Sequence, residues 1–304
     1  MQTNLHQLIA KRIQSASCLI ITAGAGMGVD SGLPDFRGKE GFWNNYIPFR
    51  NKFSFTECAN PQFLLEYFYQ LNDISTFLFI LVQTSHPNLF WGFYGHRLHL
   101  YRETQPHKGF GMLKTWSQNK KSFVLTSNVD GHFQKAGFDN KSVYEVHGSI
   151  NFMQCTSCQR IYSADGYNII YDMNTFEAKD PLPNCKNCVN VIVRPNILMF
   201  GDYSFMSDRV EEQEDRYLQF KNQLTTQDRI IVLEFGAGEA VATIRMMGEE
   251  LFLKYKHITF IRVNPRDDNS PFGWKQQQNT EDKAFYALKQ GALEAITQIQ
   301  QYML

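Results

Sequence analysis

Cys18-Leu19-Ile20-Ile21-Thr22-Ala23-Gly24-Ala25-Gly26-Met27-Gly28 is the stretch that decides the fold. A short apolar, β-branched run ending in a glycine-rich turn is the pattern of a buried parallel strand that delivers a functional loop at its carboxyl end. The pattern recurs along the chain. Ser122-Phe123-Val124-Leu125-Thr126 leads into Ser127-Asn128-Val129-Asp130-Gly131, and Arg229-Ile230-Ile231-Val232-Leu233 leads, through Glu234 and Phe235, into Gly236-Ala237-Gly238. A further run from His257 to Val263 ends at Asn264-Pro265. Helical stretches such as Leu5 to Ser15 and Gly109 to Gln118 lie between them. This alternation implies an α/β protein, a Rossmann-like parallel sheet with helices on both faces.

Two segments break the rhythm. Residues 41–104 are rich in aromatics at roughly helical spacing and read as a helical insertion over one end of the sheet, while 151–190 hold two cysteine pairs around a polar middle. The expected organisation is a Rossmann-like domain formed by 1–40, 105–150 and 191–304. The helical insertion (41–104) and a zinc-binding module (151–190) make up a small domain. Cys155-Thr156-Ser157-Cys158 and Cys185-Lys186-Asn187-Cys188 offer four thiolates, the set for a closed tetrahedral zinc site with no position open for chemistry. Two redox-active pairs are the rival reading, but no helix N-terminus obviously succeeds either pair. The apolar centre of the stretch Asp73 to Pro87 reads as buried packing.

Composition narrows the partners. A chain of 304 residues buries a substantial core without disulfides, and 30 Lys and Arg balance 30 Asp and Glu. No net field draws it to nucleic acid or an anionic membrane. The run Ile74 to Val82 is shorter than a bilayer span, and Met1 to His6 lacks the basic-then-apolar layout of a secretory signal. Paired cysteines with Cys18 and Cys58 apart suit metal binding in a reducing compartment. The expectation is a soluble cytoplasmic protein; nothing in the sequence specifies an oligomeric state.

The turn at Gly24, Ala25 and Gly26 lets backbone N–H groups approach a pyrophosphate at a helix N-terminus. Val29 stands where the third glycine of the dinucleotide fingerprint would fall, so by itself a plain tight turn serves as well. The continuation Asp30-Ser31-Gly32-Leu33-Pro34-Asp35-Phe36-Arg37-Gly38 is needed by no generic turn. With the glycines it resembles the sirtuin signature. Thr126 to Gly131 is similar to the sirtuin T-Q-N-I-D-G, Val146-His147-Gly148 to its strand-end H-G, and Arg194 to Asp202 to its R-P-x-V-V-x-F-G-E. With the cysteine pairs, these blocks keep the family's order from Ile21 to Asn264.

The resemblance implies an NAD-dependent protein-lysine deacylase, a transferase that passes the acyl group to ADP-ribose and releases nicotinamide and O-acyl-ADP-ribose. Gly24, Ala25 and Gly26 would hold NAD with Asp35, Phe36 and Arg37 folded over it. Ser127, Gly236, Ala237, Gly238 and Asn264 would lie on the same cofactor. Asn128 and Asp130 would take the nicotinamide carboxamide, and His147 would be the general base on the ribose. Ile197 and Leu198 would line the acyl-lysine tunnel, with Phe200 and Gly201 pairing to the peptide. Tyr94 and Arg97, three apart on one helical face, resemble the pair that reads a succinyl or malonyl carboxylate; amphipathic packing is the alternative. Four positions depart from the pattern: Ala23 for threonine, Gly28 for serine, Ser127 for glutamine, and Glu239 for an apolar residue at the peptide edge. Gly28, Ser127 and Glu239 keep open NAD glycohydrolysis or ADP-ribosyl transfer. A third reading is a non-catalytic nucleotide sensor, against which Asn128, Asp130 and His147 stand together.

Overall fold

The structure is a computed structural model that describes residues 4–35, 46, 55–59 and 87–303. The chain divides into two units: Met1–Leu33, Gln105–Val146 and Val210–Leu304 form one, and Pro34–Thr104 with His147–Arg209 the other.

The first unit is a six-stranded sheet. Its strands are β1 (Cys18–Ala23), β2 (Lys121–Thr126) and β3 (Val143–Glu145), then, after three strands of the second unit, β7 (Ile230–Phe235), β8 (Ile258–Val263) and β9 (Lys283–Leu288). The order is β3-β2-β1-β7-β8-β9 with every pairing parallel. β1, β7 and β8 are buried along their whole length, which is why they read as mostly apolar, β-branched runs. Alternate side chains serve opposite faces. Leu19, Ile21, Ile231, Leu233 and Ile261 join Ile9 and Ile13 of helix Leu5–Ser15, Phe110 and Leu113 of helix Lys108–Ser117, and Ile296 and Ile299 of helix Ala292–Gln300. From the other face, Phe260 meets Phe252 of helix Thr243–Lys254 at 6.0 Å between ring centroids, and Phe123 meets Tyr217 of helix Asp208–Asn222 at 5.4 Å. The helices therefore cover both faces, as expected.

The apolar reading missed a buried ion pair inside this sheet. Register sets Glu234 of β7 opposite Arg262 of β8, both buried, and Arg262 also reaches Glu249 at 2.8 Å. Removing Arg262 would leave the buried Glu234 carboxyl without its partner at a cost of about 3–5 kcal/mol, whereas Arg262 keeps Glu249 if Glu234 is lost.

The second unit carries a three-stranded antiparallel sheet, β5-β4-β6, built from β4 (Gly148–Cys155), β5 (Arg160–Ser163) and β6 (Arg194–Ile197). Helix Pro87–Glu103 turns Trp91, Phe93, Tyr94, Leu98 and Tyr101 inward, and Trp91 Nε1–H donates to Val193 O at 3.2 Å. Residues 191–209 group with this unit rather than with the larger sheet, because Arg194–Ile197 pairs with β4. The apolar stretch 73–86 lies outside the described residues. Among the described residues no helix is long and apolar enough to cross a membrane.

Candidate active site and metal centre

The glycine-rich turn after β1 and the turn after β7 interlock backbone to backbone. Gly24 N–H donates to Phe235 O at 2.9 Å and Gly26 N–H to Gly236 O at 3.2 Å. A Cβ on Gly26 would sit 2.7 Å from Gly236 Cα, and one on Gly236, whose φ is +58°, would sit 2.3 Å from Gly26 Cα. These glycines are thus required by each other, whatever else approaches them. Two 3₁₀ turns, Ala25–Met27 and Val29–Ser31, stand where the sequence led us to expect a helix N-terminus, a correction to that reading. From β1 the chain proceeds to β2 on one side and later returns to β7 on the other. The interlocked turns therefore mark the switch point, where α/β sheets leave a crevice at their carboxyl ends.

The turn after β2 is tied to the same place. Ser127 N–H donates to Ala23 O at 3.1 Å, and Asn128 Nδ2 donates to Gly24 O at 3.0 Å. Asp130 Oδ1 accepts from His132 N–H at 2.8 Å, which closes the turn and leaves a half-buried carboxylate beside a half-buried amide. Asn264, only 1 % exposed, uses its side chain within the protein: Nδ2 donates to Ala237 O at 2.9 Å and Oδ1 accepts from the Arg266 and Asp267 N–H groups, each at 3.0 Å. It locks the turn after β7 to the loop after β8. Glu239, at the peptide edge implied by the resemblance, is exposed, and its Oε1 accepts from Asn269 Nδ2 at 2.9 Å within this same unit.

In the second unit His147 is half-buried, and its carbonyl accepts from Leu198 N–H at 2.9 Å. Gly148 (φ +78°) pairs with Ile197 so closely that a Cβ would lie 2.2 Å from Asn196 O. The backbone thus brings the candidate base together with the strand end read as the acyl-lysine channel. Ile197 is buried there, whereas Leu198 and Phe200 are 41 % and 38 % exposed. A clasp unseen in the sequence holds the turn after β6. Arg194 Nη1 donates to Asp202 Oδ1 at 2.8 Å, Nη2 pairs with Oδ2, and Asp202 accepts from the N–H groups of Met199 and Ser204. Burial would raise the Asp202 carboxyl, but Arg194 and these N–H groups outweigh it and hold it below the usual range.

Tyr94 and Arg97 face inward. Tyr94 is fully buried, and its hydroxyl has no hydrogen-bond partner among the described residues. Burial pushes its pKa up to about 12, so the phenol stays protonated. Arg97 lies 5.5, 5.6 and 5.3 Å from the ring centroids of Phe93, Tyr94 and Tyr101. Its Nε and Nη2 donate to Tyr101 Oη at 3.2 and 2.9 Å, so Tyr101, which the sequence did not single out, orients the guanidinium. Asp35 is half-buried at the start of the second unit; Phe36 and Arg37 lie outside the described residues.

The four cysteines converge from the β4–β5 turn and from residues 185–188. Their Sγ atoms all lie within 4.8 Å of one another, with Cys158 and Cys185 at 3.7 Å. Burial raises the Cys185 thiol, but the N–H groups of Asn187 and Cys188 bring it down to about 6. Four soft donors at tetrahedral reach of one point fit a closed zinc site.

This fold and donor set define a parallel α/β protein with a thiolate-stapled second unit, and the comparisons with known proteins agree. The Sir2 family model matches residues 66–219, and the chain belongs to that family. An NAD-dependent protein deacetylase of Saccharolobus solfataricus is 31 % identical over 199 residues, 65 % of this chain and 66 % of that protein. An NAD-dependent protein deacetylase of Sulfolobus acidocaldarius is 29 % identical over 252 residues, covering 80 % and 83 %. The chain thus spans 66 % of the length of the first two curated relatives it matches. A solved Sir2 homologue–NAD complex superposes with a TM-score of 0.63 at 22 % identity, covering 99 % of this chain and 96 % of the other.

Proposed function

We propose that the protein is an NAD-dependent protein-lysine deacylase that transfers the acyl group to ADP-ribose and releases nicotinamide. The observation that carries this reading is the bond from Asn128 Nδ2 to Gly24 O. It sets an amide and a neighbouring carboxylate at the carboxyl end of the sheet, beside the switch point where α/β sheets bind nucleotides. Relatives named as NAD-dependent deacetylases support it, as does a solved structure described as Sir2 bound to acetylated peptide.

Bound NAD supplies the acyl acceptor. Asn128 and Asp130 orient the carboxamide, since an amide and a carboxylate together match a primary amide's donor and acceptor. His147 takes the proton of the ribose 2′-hydroxyl, a task that suits an imidazole near neutrality. Ile197 and Leu198 flank the aliphatic lysine stem, while the Phe200 and Gly201 backbone pairs with the peptide as an added strand. The four cysteines would hold a zinc ion that stiffens the second unit, with no coordination position left open for the reaction. For acyl choice, the buried Tyr94 hydroxyl, without a hydrogen-bond partner among the described residues, and the Arg97 guanidinium 5.6 Å from the Tyr94 ring centroid support a dicarboxylic acyl chain such as succinyl. Cysteine usage supports a cytoplasmic address.

The test is His147→Ala. Deacylation of an acyl-lysine peptide should fall about 100-fold or more while NAD still binds, because the base acts once the cosubstrate is seated. Turnover equal to the unaltered protein would remove His147 from the mechanism.

A further inference from the structure

His107 has no part in any motif, yet the structure gives it two simultaneous bonds. It is the N-cap of helix Lys108–Ser117, with Gly109 N–H donating to its Nδ1 at 3.1 Å. That donor makes Nδ1 an acceptor and leaves the ring proton on Nε2, which lies 3.1 Å from Met27 O in the glycine-rich turn. The His107 backbone N–H donates to Ser31 Oγ at 2.9 Å. The ring is 9 % exposed and packs on Phe110 at 4.8 Å between centroids, and a Cβ on Gly109 would come within 2.7 Å of its Cε1. Helix Lys108–Ser117 therefore grips the turn through one imidazole.

Beyond the bonds of Gly24 and Gly26 to the β7 turn, the segment's internal bonds are mostly of the 3₁₀ type. Met27 N–H to Gly24 O, Gly28 N–H to Ala25 O and Ser31 N–H to Gly28 O are 3₁₀ contacts of 3.0, 3.1 and 3.0 Å, a poorer geometry than the α-helix offers. On its far side Asp30 Oδ2 accepts from Leu293 N–H at 2.8 Å, at the start of helix Ala292–Gln300. One helix thus holds the segment at Met27 and Ser31, and the other holds it at Asp30. Met27 anchors the turn in the core, at 0 % exposure, while Gly26 and Gly28 contribute no side chain, so the backbone around Met27 depends on hydrogen bonds for its orientation.

We infer that His107 is a positioning residue for the cofactor turn: by holding the Met27 carbonyl, it sets the Gly24–Gly28 backbone in its binding conformation before NAD arrives. The inference rests on the reading that this turn receives NAD. A loop ordered in advance loses less freedom on binding, so the tether acts on NAD affinity ahead of the chemical step.

Two variants separate the tether from the cap. His107→Asn places a short carbonyl oxygen where an N-cap needs one, so Gly109 N–H keeps its acceptor, but the side chain no longer reaches Met27 O. His107→Gln reaches Met27 with its amide and is a weaker cap. Calorimetric Kd for NAD and steady-state KM and kcat are measured with thermal melts. His107→Asn should melt near the unaltered protein and raise the Kd and KM for NAD about five- to tenfold, as for the loss of one hydrogen bond, with a much smaller change in kcat. His107→Gln should melt lower and keep NAD affinity closer to the original. Unchanged NAD affinity in His107→Asn overturns the inference, as does affinity that tracks melting temperature across both variants. Failure of the unaltered protein to bind NAD would instead refute the reading of the turn itself.

Discussion

Tyr94 and Arg97 show how much one turn of helix decides. Their spacing put them on one face, and the structure shows that face to be the buried one, with the guanidinium among three rings and bonded to Tyr101 Oη. A carboxylate entering beside them would gain charge-assisted hydrogen bonds, each worth about 1.5–3 kcal/mol, which an acetyl group cannot make. Succinyl-lysine should therefore be preferred over acetyl-lysine in kcat/KM, and Arg97→Met should reduce that preference about tenfold or more. Equal rates on both peptides, unchanged in Arg97→Met, would make the pair packing only. The spacing was readable in the sequence. The orientation was not, because Tyr101 matters only through its contact with Arg97, and a buried arginine looks like a surface one in the sequence.

Among the elements, the start of β7 is fixed by a single side chain. Asp228 accepts from Ser17 Oγ at 2.8 Å, Lys121 Nζ at 2.9 Å and Thr225 N–H at 2.8 Å, so the entries to β1, β2 and β7 share one carboxylate. Burial opposes its charge, but these donors outweigh burial and hold its pKa well below the ordinary range. A carboxyl depressed in the folded state stabilises the fold above its unfolded pKa near 4 and loses that contribution as pH falls through the folded value. Asp228→Ala should cost about 2 kcal/mol at neutral pH in a urea titration, and its stability should decline less than that of the unaltered protein upon acidification below about pH 4. A parallel loss at every pH would contradict this. The zinc module is tested separately: metal analysis should find zinc in the purified protein, and Cys155→Ser should unfold the β4–β5 region rather than selectively slow turnover. A zinc-free protein with that region intact would exclude the site. Strands with β-branched runs and the cysteine pairs were legible because burial and ligation leave direct marks on composition. β3 has three residues and β9 is Lys283-Ala-Phe-Tyr-Ala-Leu288, neither a β-branched run, so the same reading passed over both. The Glu234–Arg262 pair hid for the opposite reason, since charge ordinarily argues for exposure.

At the scale of the whole molecule, the sequence motifs and the family-model match over residues 66–219 agree on the Sir2 family, and the structure has that family's fold. The departures at Gly28 and Ser127 remove side-chain groups from the turns proposed to hold NAD. The assignment of residues 191–209 to the second unit came only from pairing, because nothing in Val193-Arg194-Pro195-Asn196 shows that its partner is β4. On the proposed function, this chain transfers an acyl group to ADP-ribose instead of discarding ADP-ribose to water. Mass spectrometry of the purified protein incubated with NAD, with and without an acyl-lysine peptide, tests it most directly. The predicted result is nicotinamide, deacylated peptide and O-acyl-ADP-ribose formed together only when peptide is present. Free ADP-ribose formed at the same rate without peptide, or no consumption of NAD at all, would contradict it.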